Sequence, residues 1–323
     1  MSIEVIKHGM LDTVQDQGRY GYQHWGINPG GAMDTVAMHI SNILTGNDPA
    51  EPVIEMHFPA PELRFRSSAL IAVSGGDFGA GIGDISFSPG HAVLVKRGDV
   101  LRFTQHRSGS RAYLSVRGGM VTDEWLGSHS THLKTGMGGI QGRALQKGDT
   151  ISLKQPHTIQ AATRVLPWYA DMEYGYHNPS IRFIPGAEYH LLNEGSCDQL
   201  NHISFLIGRR SDRMGYRLQG AALACTQAQP IISSAVTRGT IQLLPDGQLI
   251  ILMADHQTTG GYPRIGHVIS ADMPALSQMQ PGQELHLHRT DLATAEELFH
   301  EQQLNLRQLQ NACTLRLQEF LGE

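Results

Sequence analysis

The residues best placed to do chemistry lie in one short stretch, Asp255–Arg264, DHQTTGGYPR, directly after the apolar run Leu249-Ile250-Ile251-Leu252-Met253. A strand that ends in a carboxylate and opens into hydroxyls, two glycines, a phenol and a guanidinium suits a loop that gathers around a small polar or anionic ligand. Asp255 would orient a substrate or handle a proton. Thr258, Thr259 and the amides of Gly260 and Gly261 would donate to an oxyanion, and Arg264 would hold a carboxylate in its planar fork, the Gly-Gly turn folding the chain back to bring Asp255 and Arg264 to one cavity. Gln257 and Tyr262 add an amide and a phenol to the same loop. The competing reading is a tight turn in which Gly-Gly only supplies positive φ. Residue chemistry alone leaves both open.

Two other clusters carry charge. Thr13–Asp34 holds Asp16, Arg19, Tyr20, Tyr22, His24 and Asp34 among glycines, where Arg19 and Asp16 would form either a binding surface or a local brace. Asp34 also stands where it would cap a following helix, and capping is the preferred reading. Ser211–Arg217 alternates like a strand, which would set Arg213 and Arg217 on one face, facing either an ion-pair network or a substrate. Gly76–Gly83 lacks the Lys-Ser/Thr ending of a phosphate loop and reads as a turn. The seventeen histidines include His286 with His288 and His129 with His132, but no zinc spacing and no HExxH, so no metal is expected. There is no GxSxG elbow.

The elements that must position these groups are mostly strands. Short apolar runs recur between Gly, Pro and Asp turns, and one turn returns three times: Gly98-Asp99, Gly148-Asp149 and Gly282-Gln283, each before an alternating run. Repetition of one hairpin unit suggests duplicated barrels. Helices are expected at Thr35–Leu44, between Asp34 and Gly46, in a short segment near Asp198–Leu206, and at the C-terminus. There Thr294 and Glu297 form a capping box, and Leu306, Leu309, Cys313, Leu317 and Phe320 make an apolar stripe. The polar run Tyr174–Ser180 marks a boundary, giving domains of 1–178 and 179–323.

Composition narrows the class. With 323 residues, 40% apolar and 17% charged, the chain is of ordinary globular type, and a net charge of −5 argues against nucleic-acid binding. Three cysteines without a CxxC pair, no export signal and no apolar run of about 20 residues lead to the expectation of a reduced, cytoplasmic protein.

Four stretches together resemble one family. They are TVQDQGRYGYQHWGINPGGAMD (Thr13–Asp34), LGSHSTHLKTGMGGIQGRALQKGD (Leu126–Asp149), SDRMGYRLQG (Ser211–Gly220) and ADHQTTGGYPRIG (Ala254–Gly266). The sequence is identified as a member of the family of allophanate hydrolase subunit 2, biotin-dependent carboxyltransferases and the 5-oxoprolinase C subunit. The resemblance implies a mainly β fold of two tandem cyclophilin-like β-barrels with a few helices. It implies a subunit of an ATP-dependent complex that hydrolyses 5-oxo-L-proline to L-glutamate, inactive alone, with A and B subunits (one resembling a kinase inhibitor) as partners. Under it Asp255, Thr258 and Thr259 are the catalytic candidates, and Gln257, Gly260, Gly261, Tyr262, Arg264, Arg213, Tyr216, Arg19 and Asp34 the substrate-binding ones. The alternatives are a carboxyltransferase of the urea carboxylase type, with biotin supplied by another protein, and a non-enzymatic regulator of a kinase inhibitor. The chain departs from the family at Ser86-Phe87-Ser88, where a Trp is usual.

Overall fold

The structure is a computed structural model that describes residues 1–155, 162–172, 179–226 and 231–322. The expected boundary residues Tyr174–Asn178 lie outside the described residues. By its contacts the chain divides into one unit of Met1–Arg19, Asp34–Tyr174 and Leu304–Glu323, and another of Tyr20–Met33 and Gly175–Gln303.

The first unit is built from two six-stranded sheets. In one, Ser2–Lys7 pairs with Thr150–Ser152 and with Glu62–Phe65, which leads through Val100–Phe103 to Ala80–Ile82 and Ile85–Phe87. In the other, the long strands Ala69–Asp77 and Ser108–Val116 are central and antiparallel. Period-two alternation decides where their side chains go. Ala69, Ile71 and Val73 enter the core shared with Ile3, Val5 and Phe65, while Leu70 and Ala72 meet Ile40, Ile43 and Leu44 on the opposite face. Burial on both faces is why this strand reads ALIAV without a polar break.

Helix α1, Thr35–Thr45, covers that second face. Its start is fixed as the sequence suggests: the Asp34 side chain accepts from the Ala37 N–H, and Gly46 ends it in the left-handed region at φ 74°.

The second unit contains a closed seven-stranded barrel in the order Ser180–Pro185, Arg264–Val268, Thr240–Leu243, Leu249–Leu252, Gly215–Gln219, Ser204–Ile207 and Glu284–Arg289. Closure is through the parallel pairing of Ser180–Pro185 with Glu284–Arg289. Ile181, Phe183, Phe205, Leu218, Ile241, Ile251, Ile265 and Leu287 fill it. Two short helices, α2 (Glu194–His202) and α3 (Met273–Gln278), and a two-residue-wide ribbon of Ser234–Ala235 with Thr259–Gly260 complete this unit. The mainly β class is as the sequence indicates, with a closed barrel in the second unit and paired sheets in the first.

The repeated turn is one local structure used three times. Gly98, Gly148 and Gly282 have φ of 95°, 94° and 91°. In each, the next side chain (Asp99, Asp149 or Gln283) accepts from the N–H of the residue two before the glycine. Glycine is needed there because an L side chain rarely adopts that φ.

Helix α4 runs from Leu292 to Leu321. Asp291, not Thr294, caps it: its carboxylate accepts from the Thr294 N–H. Hydrogen bonds to Thr294 hold the Asp291 carboxyl below its usual range. In the first unit Cys313 and Leu317 are fully buried from the expected stripe, and Leu306, Leu309 and Phe320 pack at its edge.

Candidate functional site

Asp255 follows the barrel strand Leu249–Leu252, as a group at a strand end should. Both its oxygens are engaged by one guanidinium: Arg213 Nε donates to Oδ2 at 2.8 Å and Nη2 to Oδ1 at 3.1 Å. The backbones join as well, Asp255 N–H donating to the Arg213 carbonyl at 2.7 Å. Arg213 Nη2 also donates to the Gly31 carbonyl at 2.6 Å, so the pair ties the Gly30–Met33 segment to the strand end. A second arginine does the same nearby. Arg238 donates to the carbonyls of Ala32 and Met33.

The spacing that put Arg213 on a strand does not hold. The strand begins only at Gly215; Ser211–Met214 form the turn before it, in which the Asp212 carboxylate accepts from Met214 N–H. Arg213 is therefore 7% exposed while Arg217 points to solvent, and the two do not share a face.

His256, next to Asp255, is enclosed at 2% exposure, with Nδ1 2.6 Å from the Gln257 carbonyl. Burial holds its imidazole below the usual range, the Gln257 hydrogen bond opposes this, and the Arg238 charge adds to it. Gln257 is exposed and Thr258 half-buried. Thr259 and Gly260 then form one strand of the ribbon, which leaves Thr259, Gly261 and Tyr262 open to solvent.

Arg264 is not paired with Asp255. Its fork closes on Glu188, Nε to Oε2 at 2.9 Å and Nη2 to Oε1 at 2.7 Å, with the Arg264 N–H also donating to Oε2 at 2.9 Å. The Gly-Gly loop does not fold Arg264 back to Asp255; it pairs with Ser234–Ala235 and delivers Arg264 into the next barrel strand. The expected clamp of Asp255 and Arg264 is thus two separate ion pairs.

Hydrogen bonds from Arg264 hold the Glu188 carboxyl below its ordinary 4.5. A depressed carboxyl stabilises the fold above its unfolded pKa, and that contribution is lost as pH falls through the lower folded value. Glu188→Gln should therefore cost about 1 kcal/mol at pH 7, since the pair is partly exposed, and less near pH 3. Urea unfolding of both proteins at the two pH values measures it, and an equal deficit at pH 3 would contradict the ion-pair account.

Three of the remaining candidates are structural in this geometry. Tyr216 is 2% exposed, inside the barrel core, and its hydroxyl donates to the Met279 carbonyl. Asp34 is fully enclosed, capping α1, with its N–H donating to Tyr113 Oη, which in turn donates to Glu55 Oε2. Arg19, also enclosed, donates to the Ser130 carbonyl and lies 4.9 Å from the centre of the Trp125 ring. It is not braced on Asp16. That carboxylate instead accepts from the Ser128 and Ser130 hydroxyls and from the Gly18 and His129 N–H groups.

Residues that sequence reasoning missed are Glu188, Arg238 and Gln242. Glu188 meets the loop through Arg264, Arg238 through its charge on His256 while it bonds Ala32 and Met33, and Gln242 lies against Gly260, and no local spacing signals these contacts.

The family model of the carboxyltransferase domain, subdomain A and B, matches residues 25–289, a span that holds the barrel and its charged, glycine-rich loop; the chain belongs to that family. Over 310 residues it is 36% identical to the 5-oxoprolinase C subunit of Escherichia coli K12, covering 95% of this chain and 97% of that one. The 5-oxoprolinase C subunit of Haemophilus influenzae is 35% identical with the same coverage. Among solved structures, the urea carboxylase of Kluyveromyces lactis superposes with a TM-score of 0.85 at 28% identity; the match covers 95% of this chain and 29% of that one.

Proposed function

We propose that the chain is the C subunit of an ATP-dependent 5-oxoprolinase complex, which opens the lactam of 5-oxo-L-proline to L-glutamate. The observation that carries this is the end-to-end match to the 5-oxoprolinase C subunit, 95% of one chain against 97% of the other. The urea carboxylase match, by contrast, spans under a third of a longer protein. In the reaction the lactam C–N bond breaks, water supplies the hydroxyl of the new carboxyl group, and the nitrogen takes a proton. Developing charge on the carbonyl oxygen calls for donors, which Thr258, Thr259 and the Gly260-Gly261 amides supply from one loop whose Thr259 and Gly261 are exposed. Gln257 and Tyr262 are exposed beside them. Asp255 acts through Arg213, as a positioning residue that fixes the base of this loop. The partners are the A and B subunits, ATP is the co-substrate of the assembly, and the cytoplasm is its compartment. No helix among the described residues is long and apolar enough to cross a membrane.

The carboxyltransferase reading is kept because the family model and the urea carboxylase likeness both favour it. There biotin would come from another protein. The test is glutamate release from 5-oxo-L-proline and ATP by the assembled subunits and by this chain alone. The expected result is turnover only in the assembly. An assembly inert on 5-oxo-L-proline, yet carboxylating urea with a biotinylated carrier, would replace this reading by the second.

A further inference from the structure

The strand Thr240–Leu243 is bonded to Leu249–Leu252 on one side and Arg264–Val268 on the other. Ile241 and Leu243 enter the barrel core, so alternation sets the Gln242 side chain on the outer face. A glutamine there would ordinarily reach water. Gln242 is instead 0% exposed, and neither its Oε1 nor its Nε2 has a hydrogen-bond partner among the described residues.

What covers it is the candidate loop itself. A methyl group placed on Gly260 would lie 2.5 Å from Gln242 Nε2 and 3.4 Å from Val236 Cγ1, so the ribbon rests directly on the amide. Ser234 Oγ, in the facing strand of that ribbon, is likewise enclosed and has no partner among the described residues. The pairing shifts register between Ile241 and Gln242, which brings Arg264 opposite Gln242. Bulges of this kind re-aim side chains beside functional sites. The cover is slight: two residue pairs, plus the Val236 N–H to the Thr258 carbonyl. Such a ladder opens far more easily than the barrel beneath it.

An enclosed carboxamide with both atoms unsatisfied is unfavourable unless something completes it. We propose that Gln242 recognises the lactam of the substrate once the ribbon lifts. A lactam is held cis by its ring, so its C=O and N–H lie on one edge. Gln242 Nε2 donates to the lactam oxygen while the lactam N–H donates to Oε1, two parallel hydrogen bonds that use both orphaned atoms. Proline and glutamate lack that edge. The inference rests on the 5-oxoprolinase reading and makes Gln242 its specificity residue, with the Gly260 ribbon as the cover.

The test uses the assembled complex with 5-oxo-L-proline and ATP. Gln242→Met keeps length and loses both hydrogen-bonding atoms; Gln242→Leu loses both in a shorter, branched side chain. Gln242→Met should raise the KM for 5-oxo-L-proline on the order of 50-fold, the loss of two neutral hydrogen bonds, with the KM for ATP unchanged. Its melting temperature should equal or exceed that of the wild type, because no buried polar atom is left unpaired. A wild-type KM in either variant, once folded, would mean an enclosed water only and overturn the inference while leaving the proposed function standing. A wild-type assembly that does not turn over 5-oxo-L-proline would overturn both.

Discussion

Asp12→Asn should remove a loss of stability that the wild-type protein suffers between about pH 4 and about pH 7. Asp12 lies between the strands Ser2–Lys7 and Thr13–Gln15 and is 1% exposed. Its Oδ2 accepts from the Gly9 N–H at 2.5 Å, while Oδ1 has no partner among the described residues. Burial pushes its carboxyl from 3.8 up to about 7, against the smaller opposing pulls of the Gly9 N–H and the His8 charge. Between those values the folded chain keeps a proton that the unfolded chain has lost. Stability is therefore full below about pH 4, declines as pH rises, and levels off above pH 7. The shift from 3.8 to about 7 corresponds to a total on the order of 4 kcal/mol. Asparagine is neutral throughout and keeps an acceptor for the Gly9 N–H. Urea unfolding at intervals from pH 4 to pH 8 should give the variant a nearly flat profile over the window in which the wild type slopes down. Parallel profiles would show that Asp12 is not the source.

What the sequence made legible was local. Asp34 and Gly46 bracket α1 because a cap and a left-handed stop act within one turn of the helix they serve. The thrice-used Gly turn was readable for the same reason. The loop of Asp255–Arg264 was visible as a break in an apolar strand, but its partners were not. Arg213 lies 42 residues from Asp255, and Glu188 lies 76 from Arg264. Nearness in the chain suggested that Asp255 would meet Arg264; strand pairing carried them to different partners. Gln242 illustrates the opposite failure. Alternation sets an outward side chain, yet burial there depends on the ribbon of Ser234–Ala235 with Thr259–Gly260 folding over it, which alternation within the strand does not signal. Arg19 looks like a binding group by type, yet it is enclosed, with its guanidinium bonded to the Ser130 carbonyl.

Asp255→Ala should destabilise the chain by about 3–5 kcal/mol, because it removes the counter-charge of an arginine that stays buried. Arg213 has 9% of its side chain exposed and Asp255 25%, so the guanidinium cannot simply turn to water, whereas the carboxylate is partly wet. Asp255→Asn retains one acceptor and should cost less, about 1–2 kcal/mol. Pairing Asp255→Ala with Arg213→Met should recover part of the loss, since the two removals share one interaction. The cycle, read by urea unfolding, fails if the double variant is as unstable as the sum of the singles. The same variants decide what the pair does for turnover. An Asp255 that moves protons would lose about 10²–10⁴-fold in the Asn variant and with it the corresponding limb of the pH–rate profile. A carboxylate with both oxygens held by Arg213, and with Arg213 gripping the Gly31 carbonyl, is arranged to position. The expected result for the assembled Asp255→Asn complex is therefore a loss nearer tenfold, with the pH profile unmoved in shape, because the loop is loosened and no proton acceptor is lost.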